Sequence, residues 1–408
     1  MQRIAIIGGG ASGLVASIYA SDLSHKVTVF EGNEESLKKV LMTGNGRCNY
    51  WNEDMATKHY HSSDEAYLSS IFTKENQEEI LNFFERLGIV PKIKNGYYYP
   101  FSNQALSIKK ALLNEAFRLG VEFKTNYRVQ EIKKVDNQFV IDEFMFFDKV
   151  ILATGGKSYP KTGSDGFGWE LARFLGHTIK PIYPSLVALK VNTNVNSLWS
   201  GVRSEVEVSL YENGEYKAKQ HGEIQFTNYG VSGICIFNLS GYVAEGLGMD
   251  KKEEIRINFM PFLDKEEVGK WFESKGKLPL GVILNGFLNE KIIKMILKKS
   301  KLDQDDLYCH LSLERQEKLW MNLTEFRLMI EDTLDYDSAQ VCKGGISLSE
   351  VDCSTMQSHL VDGLFFAGEI LDVDGDCGGY NLGFAWISGM LAGKGVKNDS
   401  DSTNKSAY

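Results

Sequence analysis

Three glycines and one acid near the start of the chain have the types and spacing of a phosphate cradle. Gly8, Gly10 and Gly13 form GxGxxG in "IAIIGGGASGLVAS", and Glu31 follows Gly13 by eighteen residues. Glycines at these places allow a tight turn at Gly8, close approach of a pyrophosphate at Gly10, and close helix–strand packing at Gly13. A helix starting there presents free N–H groups and a partial positive charge to phosphates. Glu31 would accept hydrogen bonds from an adenosine ribose, and an acid there disfavours a ribose 2′-phosphate. The implied chemistry is dinucleotide binding. GxGxxG alone is equally a plain strand-to-helix turn, so the surrounding elements decide.

Those elements are legible. Residues 4–7 read as a short buried strand that stops at glycine, "SGLVASIYASDL" as a helix, and "KVTVFE" as a second strand ending at the acid. Three later segments bear on which dinucleotide is held. "KKVLMTGNGRCNYWN" replaces the plain βα unit of an NAD domain with a glycine-rich loop carrying Arg47 and two asparagines. "FDKVILATGGKSYPKTGSDGFGWELARFLGH" reads as a strand over 150–153, a glycine loop and a helix over about 167–175. "VDGLFFAGEILDVDG" reads as a strand over 363–367 closed by Gly368 and Glu369.

The chain resembles the glutathione-reductase-like flavoprotein superfamily and, within it, the BaiN-like and aminoacetone-oxidase-like family. The motifs are "GGGASGL" with Glu31, "KKVLMTGNGRCN", "ATGGKSYPKTGSDGFGWELA", "FTNYGVSG", "KGGISLSEVDCSTMQS" and "GLFFAGEILDVDGDCGGYNLGFAWISG", spread from Ile4 to Gly393. One departure is Asp376-Cys377 before Gly-Gly, where a residue such as threonine is expected. The resemblance implies noncovalent FAD. Gly8, Gly10, Ala11, Ser12 and Gly13 would hold the pyrophosphate and Glu31 the ribose. Lys39, Thr43, Gly44, Arg47, Cys48 and Asn49 would line the ribityl and flavin side. Val129, on a strand "YRVQEIKK", would meet the adenine. Ala153, Thr154 and Gly155 would pass the AMP half, with Gly368 and Glu369 at the ribityl and phosphates. Tyr380, Asn381 and Leu382 would offer backbone N–H groups to the isoalloxazine, approached closely because Gly378 and Gly379 carry no Cβ.

The 408 residues exceed one ordinary core, so two or three domains are expected. A Rossmann-like α/β FAD domain would occupy residues 1–186 and 341–408. An antiparallel, barrel-like β part (187–262) and a helical part (263–340) would interrupt it. The tail from 397 is polar and reads as disordered. A net charge of −9 and a pI near 5.5 argue against nucleic-acid or anionic-membrane partners. No signal peptide or membrane span is legible. Six scattered cysteines without CxxC or zinc spacing suit a cytoplasmic protein with free thiols. Asp372, Asp374 and Asp376 start like a calcium loop, but its positions 6 and 12 hold Cys377 and Gly383, so no metal is expected. Cys48 has no redox partner nearby. His59 and His61 read as surface or core residues. His177, after Gly176, reads as a structural histidine favoured at a helix C-terminus.

These readings favour an FAD-dependent oxidoreductase that moves hydride between flavin N5 and a small organic substrate, in a cleft between flavin domain and insertion. Electrons would be exchanged with NAD(P)H or with oxygen. The alternatives are a flavin-dependent RNA-modifying enzyme and a non-enzymatic flavin sensor. No side chain stands out as a proton-transfer group; position alone nominates Arg47 and Tyr380.

Overall fold

The computed structural model describes residues 2–21, 25–62, 64–191 and 196–405. The end of the first expected helix (residues 22 and 23) and the last three residues of the tail lie outside them. The chain forms two compact units, one of residues 1–182 with 341–408, the other of residues 183–340.

The first unit is built on a five-stranded parallel sheet. Its order is Leu364–Phe366, Lys149–Leu152, Gln2–Ile7, His25–Phe30, Glu122–Lys124. Parallel strands covered on both faces read as continuous apolar runs. Ile4–Ile7, Val150–Leu152 and Leu364–Phe366 do, and all are buried. Each Ile, Val, Leu or Phe among them contributes about 1.5–3 kcal/mol when fully buried. Helix Ala11–Ala20 follows the first strand, and helix Tyr380–Lys405 packs on it almost backbone to backbone. A Cβ on Gly389 would lie 2.5 Å from the Ser12 carbonyl oxygen, and one on Gly393 2.7 Å from that of Ala16.

The long helix corrects the reading of the tail, since it continues through Lys405. Once its apolar half is packed, each further residue adds a hydrogen bond without a new nucleation cost. Val129 is also corrected. It is buried but lies in the irregular segment before strand Ile132–Val135, not on that strand. His177 is buried against Phe366 and bonded to Ser358, so burial pushes its pKa down. It is not held charged at a helix end.

The second unit contains a closed barrel. Its strands run in the order Leu189–Val191, Gly230–Ser232, Glu215–Phe226, Arg203–Glu212, Glu253–Asn258, Phe326–Thr333, and the last pairs with the first. Residues 215–226 form one long strand, which passes through Gly222 at φ +152°. Residues 326–333, expected within the helical part, are the strand that closes the barrel. Phe326, Leu328 and Ile330 are buried while Arg327, Met329 and Glu331 are exposed, the period of two that a strand requires. The helices of this unit, among them Glu290–Ser300 and Leu313–Thr324, share the barrel's apolar cluster.

Leu328→Ala should therefore cost about 2–5 kcal/mol, as deletion of a packed side chain does. Met329→Ala, on the opposite face, should change stability by about 0.5 kcal/mol or less. Urea unfolding of the two variants checks this; equal losses would contradict the strand.

No helix among the described residues is long and apolar enough to cross a membrane.

Candidate active site

The strands of the parallel sheet end side by side, and their C-terminal turns build the first half of the site. Gly8 has φ +110°, and a Cβ there would lie 2.4 Å from the Ala153 carbonyl oxygen. A Cβ on Gly13 would lie 1.9 Å from the Gly8 carbonyl oxygen. These glycines pack chain against chain. Gly10 is different: a Cβ there would meet nothing within 4 Å. The space beside the helix N-terminus is open, as a bound pyrophosphate requires.

Glu31 is buried beside this turn. One carboxylate oxygen accepts from Gly9 N (3.0 Å), the other from Asn33 N (2.8 Å) and Nδ2 (2.7 Å). A carboxylate has about four lone-pair sites. Three are used by the protein, and about one is left for a ribose hydroxyl. The Glu31 carbonyl accepts from Tyr127 N at 2.9 Å, which brings the segment carrying Val129 to the same edge. Ser12 Oγ donates to the Ala367 carbonyl at 3.1 Å, so Gly368 and the first helix meet at the next turn.

Beyond Ala153 and Thr154, Gly155 has φ +74°, and the following Gly156 lies against Glu369. The Glu369 carboxylate accepts from Lys39 Nζ (2.8 Å), Ser158 Oγ (3.0 Å) and Cys342 N (2.9 Å). Its side chain is committed to the protein, so only its backbone would be left for a ligand. Lys39 also donates to Ser158 at 2.7 Å.

The second half is a meeting of two glycine loops on one tyrosine-rich strand. Residues 43–49 turn through Gly44, Asn45, Gly46 and Cys48, all at positive φ. Thr43 Oγ1 donates to Val40 O at 2.6 Å, and the Thr43 carbonyl accepts from Cys48 N. Burial pushes the Cys48 thiol up to about 12, which leaves it an unreactive packed residue. Residues 374–379 approach from the other side into helix Tyr380–Lys405. A Cβ on Gly379 would lie 2.7 Å from the Trp51 carbonyl oxygen and 3.1 Å from Asn49 Oδ1. Asn52 Nδ2 donates to the Gly378 carbonyl at 2.9 Å.

Strand Tyr97–Pro100 spans both loops: Tyr97 packs on Gly378, and Tyr99 lies near Gly44 with the Arg47 guanidinium 5.4 Å above its ring. Arg47 is exposed and donates to the Gly44 carbonyl at 3.1 Å. Asn49 Oδ1 and Ser36 Oγ are buried without a hydrogen-bond partner. Such atoms suit a polar ligand laid along this surface. With the open space at Gly10, they make the residues present fit an adenine dinucleotide carrying a further ring.

Asn381 grips the loop before it: its Oδ1 accepts from Gly375 N (2.9 Å) and its Nδ2 donates to Gly375 O (2.7 Å). Tyr380, Asn381 and Leu382 open the helix, where backbone N–H groups lack partners within the helix.

Several residues here escaped sequence reasoning. His59 stacks on Tyr380 with ring centroids 4.5 Å apart and contacts Asp54 and Asp376; His61 contacts Asp374 and Asp376. Two of the acids that imitate a calcium loop, Asp374 and Asp376, are thus partners of histidines. Among the described residues no group of three or more His, Cys, Asp or Glu is placed to hold a metal. The alternation in "HYH" and in "DVDGD" is the local signal these residues leave, and it does not say which histidine meets which acid. Tyr97 and Tyr99 are signalled only by the aromatic run "YYYP". Burial raises the Tyr97 and Tyr380 phenols above their usual range, helped by Asp376, so both are neutral O–H donors at ordinary pH.

Residues 2–395 match the HI0933-like protein Rossmann domain family. The chain is 41% identical over 403 residues to a 3-dehydro-bile acid delta(4,6)-reductase of Clostridium scindens, covering 97% of this chain and 98% of that one. It is 27% identical over 397 residues to a ribosomal RNA dihydrouridine synthase of Haemophilus influenzae, covering 94% and 95%. The fold is shared with a 3-ketosteroid-delta4-(5alpha)-dehydrogenase of Rhodococcus jostii, at a TM-score of 0.50, 14% identity and 97% coverage of both chains.

Proposed function

The chain belongs to the HI0933-like family and is an FAD-dependent oxidoreductase, and from that premise we propose that it reduces a carbon–carbon double bond conjugated to a carbonyl in a small organic molecule, with NAD(P)H as the electron source. The observation that carries this is the 41% identity, end to end, with a reductase whose name specifies double bonds in a 3-oxo compound. The more distant relative fits the same chemistry, since dihydrouridine arises by reducing a ring double bond next to a carbonyl.

Bound FAD would supply a hydride at one carbon of such a bond. The chain's own part is to place the acceptor, exclude water and give a proton to the other carbon. Gly8, Gly10, Ala11, Ser12 and Gly13 would hold the pyrophosphate, Glu31 the ribose and Val129 the adenine. Ala153, Thr154, Gly155, Gly368 and Glu369 would follow the chain of the cofactor. Lys39, Thr43, Gly44, Arg47, Cys48 and Asn49 would face its other end with the N–H groups of Tyr380, Asn381 and Leu382. The neutral phenols of Tyr97 and Tyr380 are the proton donors this arrangement offers. Free thiols at all six cysteines support a cytoplasmic setting.

The RNA-modifying reading draws on the 27% identity with the dihydrouridine synthase. The net charge of −9 weighs against RNA as partner and favours a small molecule.

The test is anaerobic. The yellow holoprotein should bleach with NADH or NADPH and regain colour on mixing with 2-cyclohexenone or a 4-en-3-oxo steroid. Bleaching by primary amines instead would favour an oxidase. Recolouring only by ribosomal RNA would overturn the small-molecule reading.

A further inference from the structure

Strand Tyr60–His61 pairs antiparallel with Asp374–Gly375, which sets His61 opposite Asp374. Asp376 N also donates to the His59 carbonyl at 2.9 Å. Two histidines and three aspartates are thereby strung into one chain. Asp54 Oδ2 lies 3.2 Å from His59 Nε2, and His59 Nδ1 lies 3.1 Å from Asp376 Oδ2. Asp376 Oδ1 lies 3.7 Å from His61 Nε2, and His61 Nδ1 lies 3.3 Å from Asp374 Oδ2. Side-chain exposure is 53% at Asp54, 23% at His59, 9% at Asp376, 11% at His61 and 1% at Asp374. The outer end meets solvent, and the inner end is buried at the start of the loop that leads to Tyr380.

We infer that Asp54, His59 and Asp376 form a proton path from solvent to the loop Cys377–Tyr380, with His59 as its positioning residue. Both nitrogens of His59 face a carboxylate, so a proton can enter at one and leave at the other without rotation of the ring. Stacking on Tyr380 holds that ring in place. Three of these contacts are within hydrogen-bond reach and the fourth, at 3.7 Å, is not; two neutral imidazoles carry one N–H each, enough for two of the three. The third, on His59, would set a ring lone pair against a carboxylate unless a further proton is bound. The network is therefore built to load and release protons. Holding two adjacent strands together needs none of this, because packed apolar side chains do so without desolvating charges.

The groups facing the path agree. Burial opposes a charge on His61, and Asp374 and Asp376 outweigh it and raise its pKa, against Lys343. Burial, with Asp374, raises Asp376, against His61 and His59. Lys58, 2.8 Å from Asp54, keeps the outer carboxylate ionised. Tyr60 donates to the Tyr380 carbonyl at 3.0 Å and, like Tyr97 and Cys377, stays protonated.

This rests on the reading of the loop as the flavin edge and of the reaction as a reduction. Each turnover breaks one C=C π bond and forms two C–H bonds. It consumes one hydride, drawn through the flavin from a dihydronicotinamide, and one proton, which the path replaces from water.

The test uses the full-length FAD-loaded protein and its His59→Gln, Asp376→Asn and Asp54→Asn variants. Asp54 is exposed, so its variant keeps the test valid if the buried ones fold poorly. The midpoint potential of the bound flavin is measured from about pH 5 to 9, the range that brackets imidazole titration. The slope against pH should break in the wild type. The break should move by about one pH unit or vanish in His59→Gln and shift in Asp54→Asn, with the FAD dissociation constant held within about threefold. Reoxidation of the reduced protein by 2-cyclohexenone should slow at least about tenfold in His59→Gln, since proton transfer contributes about 10²–10⁴-fold.

Superimposable potential–pH curves in all four proteins would overturn the path. The potential needs no organic substrate. Differing curves without reoxidation by any enone would therefore overturn the reductase reading and leave the path standing. A colourless protein that binds no FAD would overturn both.

Discussion

Gly10→Ala should leave the cofactor-free protein at least as stable as the wild type and still strip it of most of its affinity for FAD. Gly10 sits at φ −82° and ψ −164°, a conformation open to any residue, and its missing Cβ faces space. Alanine there would stabilise the empty protein by about 0.4–1 kcal/mol, because it narrows the unfolded ensemble. The same methyl group would stand where a pyrophosphate approaches the helix. Forcing a group into a packed site costs about 1–3 kcal/mol. At about 1.4 kcal/mol per tenfold, that is a loss of roughly five- to 150-fold in affinity.

Gly13→Ala makes the contrast. Its Cβ would lie 1.9 Å from the Gly8 carbonyl oxygen, a backbone atom that cannot rotate away. That variant should lose about 3 kcal/mol or more of stability with or without cofactor. Thermal melts of the empty proteins and FAD titrations separate the two. A Gly10→Ala protein with an unchanged dissociation constant would show that no phosphate lies at this face.

The contrast also marks what sequence could reveal. The motif types the cradle because its parts are local: the strand read over 4–7 is Gln2–Ile7, and that over 150–153 is Lys149–Leu152. The helix read over 167–175 is Phe167–Phe174, and the strand over 363–367 is Leu364–Phe366. Each is bounded by glycine or by a change of hydrophobic period within a few residues. Residues 326–333 fail that test. Leu323, Phe326, Met329 and Ile330 recur at three- and four-residue spacings, so a helical face can be drawn through a segment whose true partners are strands at 189–191 and 253–258. Barrel closure is a long-range fact, and tertiary pairing overrode the local pattern.

The site behaves the same way. Gly378 and Gly379 of the second loop can be assigned from sequence because they stand at φ +138° and +95°, where a side chain is strained; in the first loop Gly44 shares the left-handed region with Asn45 and Cys48. His59 and Asp376 are 317 residues apart, and His61 and Asp374 are 313 apart. Nothing near either histidine tells which acid it meets. Strand Tyr97–Pro100 carries no motif, yet it is where the loops 43–49 and 374–379 converge. Types were legible, and juxtapositions across the chain were not.

A second large effect is expected far from the cradle. Glu253→Gln should stabilise the protein at neutral and alkaline pH and flatten its stability below pH 7. Glu253 lies on a barrel strand, 1% exposed, directly opposite Glu212, and its Oε1 is buried without a hydrogen-bond partner. A Cβ on Gly246 would fall 1.9 Å from that oxygen, so the helix of Gly246 closes over the carboxyl. Burial, then the charge of Glu212, raise its pKa from 4.5 to about 7, with Lys251 and Lys217 opposing.

The sign follows from which state holds the proton. Between pH 4.5 and about 7 the folded protein keeps the carboxyl protonated while the unfolded chain has released it. Stability is therefore full below the unfolded value and falls as pH rises through the folded one. At about 1.36 kcal/mol per unit over the span from 4.5 to about 7, the loss is of the order of 3 kcal/mol by pH 8. Glutamine keeps the shape and carries no charge, so the variant should be more stable than the wild type by about that amount at pH 8 and nearly equal to it at pH 4.5. Urea unfolding at these two pH values decides the matter. A variant less stable than the wild type at pH 8 would mean that the ionised carboxylate is held by favourable interactions, and that the close approach of Glu212 and Glu253 is not a repulsion the fold must bear.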